Sequence, residues 1–280
     1  MATPSGESVN DKPNPRIGLA LGGGGAKGIA HIAFLKILDE LGLRPGIIAG
    51  TSMGALIGAL YAFGHSGKEI ERIFTDLKLV DFINLTDLTL GAKYGLIRGD
   101  KIIKTLEKLV QKKSFEDLKI PLKVIATDFW SREEVILDHG SLTEAVRASI
   151  SIPGIFEAVV TGGRVLIDGG VVNSLPYEIL RGDCDLLIAI NVLGEIAPGT
   201  GRVAKPTLPE AILNTFQIME IAGLARKLER SRPDIYLSPK LLNIQILDFH
   251  KVRPILASVT DDAARFREQM GKFLAGGSAG

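Results

Sequence analysis

The chain has 280 residues, 46% of them apolar, with 33 Lys and Arg against 32 Asp and Glu for a formal charge of +1. That length and apolar content supply a substantial core and exclude an intrinsically disordered chain, while the near-zero charge without a Lys/Arg cluster argues against nucleic acid as a main partner. A single cysteine, Cys184, excludes an intrachain disulfide framework, and the four histidines show no metal-ligand spacing, so no metal site is expected.

Residues 1–15 are polar, carry Pro4, Pro13 and Pro15, and lack an apolar core segment. They read as a flexible tail with no signal peptide, which makes a cytoplasmic protein the expectation. Arg16 to Leu21 is a short apolar run and predicts a first strand. The loop Gly22-Gly23-Gly24-Gly25 follows, then a predicted helix from Lys27 to Leu41 with apolar residues at helical spacing and Gly42 as its stop.

Ile47-Ile48-Ala49 predicts a buried second strand, and Ala55 to Phe63 a buried helix. Between them lies Gly50-Thr51-Ser52-Met53-Gly54, a G-x-S-x-G pattern. A serine on a sharp strand-to-helix turn has its hydroxyl lifted clear of the backbone and lies at the positive end of a helix dipole. No charged residue occurs between Gly46 and Gly67, a span long enough to cross a bilayer. Five interrupting glycines and the central Thr51-Ser52 favour strand, turn and buried helix instead.

Lys68 to Leu77 predicts an amphipathic helix, Leu79 to Arg98 an irregular stretch, and Asp100 to Lys112 another helix. The apolar residues of Leu79 to Leu96 suggest a lid that gates a site or touches lipid. Strands are predicted at Leu122 to Asp128 and Glu133 to Asp138, a short helix at Leu142 to Ser149, and a hairpin of Phe156 to Val160 with Arg164 to Ile167 around Gly162-Gly163. Asp185 to Val192 is a strongly apolar strand. Leu208 to Glu229 and Ile255 to Leu274 predict long helices, with a strand at Asp234 to Leu237 between them. Alternating strands and helices predict an α/β fold, a central mostly parallel sheet sandwiched by helices. One domain over residues 16–275 is expected, with 276–280 as a second flexible tail.

The glycine loop admits three readings. A phosphate-binding P-loop requires Ser or Thr after Gly-Lys, and here Lys27 precedes Gly28. Gly23, Gly25 and Gly28 satisfy the dinucleotide pattern, but the next strand ends in Gly50-Thr51-Ser52 with no acid for a ribose. The third reading is an oxyanion hole, in which consecutive glycines turn backbone N–H groups toward a developing negative oxygen. A serine nucleophile also needs a proton acceptor, and Asp168, at the end of the strand Val165-Leu166-Ile167 and before Gly169-Gly170, is the best candidate. A Ser52, Asp168, His250 order also satisfies an α/β-hydrolase triad, although that fold places several strands before its elbow. His31 and His139 read as structural.

Taken together, Gly23-Gly24-Gly25-Ala26-Lys27-Gly28, Gly50-Thr51-Ser52-Met53-Gly54 and Asp168-Gly169-Gly170 resemble a bacterial patatin-like phospholipase. Ala148-Ser149-Ile150-Ser151-Ile152-Pro153 is similar to that family's segment ahead of the aspartate, and the likeness spans roughly Arg16 to Val192. The resemblance implies a three-layer α/β acyl hydrolase with a Ser-Asp dyad and no catalytic histidine. It makes Ser52 the nucleophile, Asp168 the base, and the amides of Gly23, Gly24 and Gly25 the oxyanion hole. Lys27 stands where the family often carries Arg. The substrate implied is a lipid ester met in transient contact with a membrane or micelle, with no cofactor. The remaining alternative is a non-enzymatic lipid- or dinucleotide-binding module on the same fold.

Overall fold

The computed structural model describes residues 15–76, 108, 114–194, 205–206 and 208–275. All of the expected lid and most of the Asp100 to Lys112 helix lie outside these residues, as do nearly all of residues 1–15 and all of 276–280.

Three fully buried apolar runs form the centre of the sheet: β1 (Ile17–Leu21), β2 (Ile47–Thr51) and β7 (Leu186–Ile190). Strands buried on both faces read as continuous hydrophobic segments, and they pair in parallel here, β2 and β7 flanking β1. The sheet extends through β3 (Leu122–Asp128) beside β2 and β8 (Ile235–Leu237) beside β7, both parallel. Three antiparallel strands complete the eight: β4 (Glu134–Leu137), β5 (Val159–Thr161) and β6 (Arg164–Asp168). Gly162 and Gly163, at φ 54° and 75°, supply the two left-handed residues of the β5–β6 turn.

Alternation along the strands sorts the core into two layers. Leu19, Leu21, Ile48, Ile188 and Ile190 face one side, where α1 (His31–Glu40), α2 (Met53–Phe63), α3 (Gly67–Asp76) and α4 (Leu142–Ser149) pack. The short Ala20, Ala49 and Ala189 face the other side, under Leu175, Tyr177, Leu180 and Leu224. Leu224 belongs to α5 (Leu208–Arg230), so that long helix forms the opposite layer. Helices α6 (Val252–Ser258) and α7 (Thr260–Leu274) return to the first layer, where Phe266 meets Phe34 edge-on at 5.8 Å. None of the described helices is long and apolar enough to cross a membrane.

Two boundaries differ from the sequence reading. The helix expected from Lys27 begins only at His31, preceded by a 3₁₀ turn over Gly25–Ala30. Gly25, at φ 57°, lies outside right-handed helix geometry, and the bond from Ala26 N–H to Ile246 O (2.8 Å) ties that turn to another part of the chain. The helix expected over Ile255 to Leu274 starts earlier and breaks at Val259, between α6 and α7. There Ser258 and Thr260 hydroxyls donate to the Ile255 and Ala257 carbonyls (2.7 and 2.9 Å). The Gly42 stop stands: its φ is 68°, and Leu43 N–H donates back to Leu38 O at 2.9 Å.

Candidate active site

Strand β2 delivers the chain to Ser52 and α2 takes it away at Met53. Ser52 itself is held at φ 54°, ψ −122°, a conformation that costs a non-glycine residue about 1–3 kcal/mol. The glycines around it are required by space. A Cβ on Gly50 would come 2.7 Å from the Ala55 backbone, and one on Gly54 would collide with Leu21 O. The strained turn is fixed from outside. Ser52 N–H donates to the buried Ser149 hydroxyl (2.8 Å), and Thr51 Oγ1 donates to Asn173 O (2.8 Å).

The acid reaches the same spot through strand register. On one edge of β3, Ile125 pairs with Thr51, the last residue of β2. The next residue, Ala126, pairs with Asp168, the last residue of β6. Because β4 occupies the other edge of β3 across both positions, β6 continues the edge that β2 leaves. Asp168 therefore arrives where the serine turn begins, and Ser52 Oγ donates to Asp168 Oδ2 at 2.7 Å. Its other oxygen accepts from Gly170 N–H (2.8 Å), while its backbone is held by Ser151 O (3.0 Å) and Thr127 Oγ1 (2.9 Å). A Cβ at Gly169 would collide with Ile125 O, so that glycine lets the turn settle on β3.

Burial governs the electrostatics. Asp168 is 1% exposed, and loss of water pushes its carboxyl up from 3.8 to about 7, against the opposing pull of its bonds from Ser52 and Gly170. Such an acid is a far better proton acceptor at neutral pH than an exposed aspartate.

The glycine loop divides its work differently from the expectation. Gly23 N–H, expected to be an oxyanion donor, donates to Ser174 O at 2.8 Å and so belongs to the scaffold. The bare Gly23 Cα instead leaves room for the serine, since a Cβ there would stand 3.4 Å from Ser52 Cβ. Among the described residues, neither Gly24 N–H nor Gly25 N–H has an acceptor, and both glycines line the cavity above Ser52 and Asp168. A Cβ on Gly24 would press on Val192, one on Gly25 on Ile246 and one on Gly28 on Met53. These close approaches are to the chain itself, which removes the dinucleotide reading's reason for bare backbone.

Lys27 is an anchor: its ammonium donates to Leu193 O (2.9 Å), and burial lowers its pKa. His31 is buried and bonds through Nε2 to Gly22 O (2.8 Å); burial drives its pKa down to about 4, so it is a neutral clamp on the loop. Pro153 sits in the turn after Ser151, where Arg147 donates to the Ser151 hydroxyl (2.6 Å) and to Glu157 O (3.0 Å). His250 is exposed, and the Asp168 carboxyl accepts from Ser52 and Gly170, so the triad order is a coincidence of sequence.

Sequence reading left the far wall of the cavity unassigned. It consists of Leu213, Phe216, Gln217 and Glu220 on α5, with Ile246 beyond. Gln217 donates to Leu193 O (3.1 Å), the acceptor that Lys27 also uses. The spacing of Phe216, Gln217 and Glu220 on a long helix carries no motif, so only the fold places them. Ser149 lies in the segment Ala148 to Pro153, but its bond to the elbow depends on α4 packing against α2.

Residues 19–181 match the family model described as patatin-like phospholipase. The chain belongs to the patatin-like phospholipase family. An NTE family protein of Mycobacterium tuberculosis is 34% identical over 236 residues, covering 82% of this chain and 65% of the relative. Patatin-like phospholipase domain-containing protein 6 of Homo sapiens is 35% identical over 182 residues, 63% of this chain and 13% of that protein. The chain thus spans about two thirds of the mycobacterial relative and a small part of the human one. In fold, VipD from Legionella pneumophila gives a TM-score of 0.51 at 15% identity, covering 91% of this chain and 67% of that one. This is the patatin-like three-layer arrangement, and the serine elbow, the paired aspartate and the glycine loop all fall inside the matched segment.

Proposed function

We propose that this chain is a serine acyl hydrolase that cleaves carboxylic esters of lipids through a Ser52–Asp168 dyad. The observation that carries the reading is the 2.7 Å hydrogen bond from the strained Ser52 hydroxyl to a buried carboxylate. Asp168 takes the serine proton as Oγ attacks the ester carbonyl, and the tetrahedral oxyanion turns toward the open N–H groups of Gly24 and Gly25. Each such donor is worth roughly 3 kcal/mol in the transition state. Collapse expels the alcohol, which receives the proton from Asp168, and leaves an acyl-serine. Water, deprotonated by the same carboxylate, then attacks the acyl-serine; the fatty acid is freed as Ser52 Oγ leaves and takes that proton back from Asp168.

A lipid substrate is favoured by the apolar wall of Ile152, Leu193, Leu213, Phe216 and Ile246 around the reacting atoms. Family membership points the same way, and one relative, from Kluyveromyces lactis, is named a lysophospholipase (26% identity, 90% of this chain and 21% of the relative). Exposed Phe129, Trp130, Val171, Val172, Ile218 and Met219 favour transient contact with a membrane or micelle without insertion.

The test is labelling with a fluorophosphonate probe followed by peptide mass analysis. The wild type is expected to carry one adduct on the Ser52 peptide, and Ser52→Ala none. Equal labelling of both proteins overturns the assignment. A panel of phospholipids, lysophospholipids and neutral acyl esters then ranks the substrates.

A further inference from the structure

We propose that Glu220 is a substrate-contacting group of this site, acting from α5 as a hydrogen-bond donor to an oxygen of the bound ester. The inference rests on the acyl hydrolase reading and extends it to the layer of the molecule that the family match does not reach, since the match ends at residue 181.

The geometry is specific. Glu220 lines the same cavity as Ser52, Asp168, Gly24 and Gly25. Its Oε1 stands beside Gly170: a Cβ added at Gly170 would collide with Glu220 Oε1 and would itself lie 3.1 Å from Asp168 Oδ1, so both carboxyls border the same point. Glu220 is 9% exposed, yet among the described residues its carboxyl has no hydrogen-bond partner. Its carboxyl opens onto the cavity, so a ligand entering there can supply the bond that the protein does not. The other polar side chain on that wall, Gln217, is tethered through one of its two amide N–H groups to Leu193 O (3.1 Å).

The charges facing Glu220 decide its protonation. Asp168 faces it from the end of β6, Lys27 from the glycine loop, and Lys227 lies two turns further along α5, engaged with Asn173 and Leu175. Burial and the Asp168 carboxylate both raise Glu220 well above the ordinary carboxyl range, and Lys27 opposes them less strongly. Two carboxyls this close lose their protons in sequence rather than together. Asp168 accepts hydrogen bonds from Ser52 and Gly170, which favour its ionised form, whereas Glu220 accepts none among the described residues, so the negative charge settles on Asp168. Glu220 keeps its proton and can donate it in a hydrogen bond. As pH rises further Glu220 ionises, the donor is lost, and a second negative charge meets the developing oxyanion.

The experiment measures kcat/KM for a soluble p-nitrophenyl ester between pH 5 and 10, with the full chain, for wild type, Glu220→Gln and Glu220→Ala. Fluorophosphonate labelling of Ser52 is run in parallel. The wild type is expected to show a rising limb near pH 7 from Asp168 and a falling limb on its alkaline side. Glu220→Gln keeps a donor and loses the ionisable proton, so its falling limb disappears while its rate at the optimum drops only several-fold. Glu220→Ala loses about tenfold or more at the optimum. A falling limb that survives in Glu220→Gln overturns the proposal, as does an alanine variant as fast as wild type. If the alanine variant fails to fold, the glutamine pH profile decides alone. A wild type that neither labels nor hydrolyses the ester removes the acyl hydrolase reading as well, and is told apart by the missing Ser52 adduct.

Discussion

The elbow and the helix that covers it are held by different physics. Around Ser52 the backbone itself makes the structure. A left-handed serine, glycines with no room for a Cβ at positions 50 and 54, and bonds to Ser149 and Asn173 leave few residues interchangeable. Helix α5 is held mainly by side chains. Leu224 enters the core, and Lys227 reaches Asn173 Oδ1 and Leu175 O at 2.6 Å each, all toward its C-terminal end. Nearer its start, Ile212, Ile218 and Met219 are about half exposed or more. Geometry that strains a residue demands particular amino acids, whereas a helix docked by a few contacts accepts many.

Three substitutions probe that contrast. The largest effect is expected from Asp168→Asn, which removes the proposed proton acceptor and lowers ester turnover by about 10⁴-fold, the loss typical of a missing hydrolytic partner. The same change is expected to raise the melting temperature at pH 8. Folding lifts the Asp168 carboxyl from 3.8 to about 7, so its contribution to stability declines as pH rises through that window, and asparagine has no charge to bury. The gain therefore shrinks toward pH 4. Unchanged turnover would remove Asp168 from the chemistry, and a variant that melts lower at pH 8 would contradict the desolvation argument.

The second is Gly54→Ala. Its methyl meets Leu21 O and Gly22 O, backbone atoms that cannot rotate aside. We expect a loss of about 3 kcal/mol or more in urea unfolding, or no folded protein at all. A loss below 1 kcal/mol would show that the elbow is more compliant than its geometry implies. The smallest effect is expected at Ile218→Ser on the open face of α5. At 58% exposure its stability change should stay within about 0.5 kcal/mol. A larger loss would mean that this face is covered by something in solution, which light scattering on the wild type would reveal.

The sequence made the elbow and the aspartate legible because each is marked by glycines that the backbone requires. Cβ atoms at Gly50 and Gly54 would meet backbone atoms, as would one at Gly169 beside Asp168. The same logic gave too much to Gly23: four glycines in a row show that backbone approaches something closely, but not whether an N–H faces the cavity or Ser174 O. Where the helix begins after the loop was misplaced for a related reason, because the 3₁₀ turn is imposed by Ile246, more than two hundred residues away in the chain. Likewise, the break at Val259 follows from hydroxyls of Ser258 and Thr260 bonding back to carbonyls, which helical periodicity does not report.

Local chain composition thus settled the alternation of strand and helix, the strained serine, and the aspartate after a strand, since each depends on residues within one turn or one strand of each other. The tertiary structure decided the rest. The register of β3 brings Ser52 and Asp168 to 2.7 Å, and the layer packing sets Glu220 above Gly170. Those are distances across 116 residues for the dyad and between separate layers for Glu220, and they are fixed by strand pairing and core packing rather than by any pattern that neighbouring residues carry.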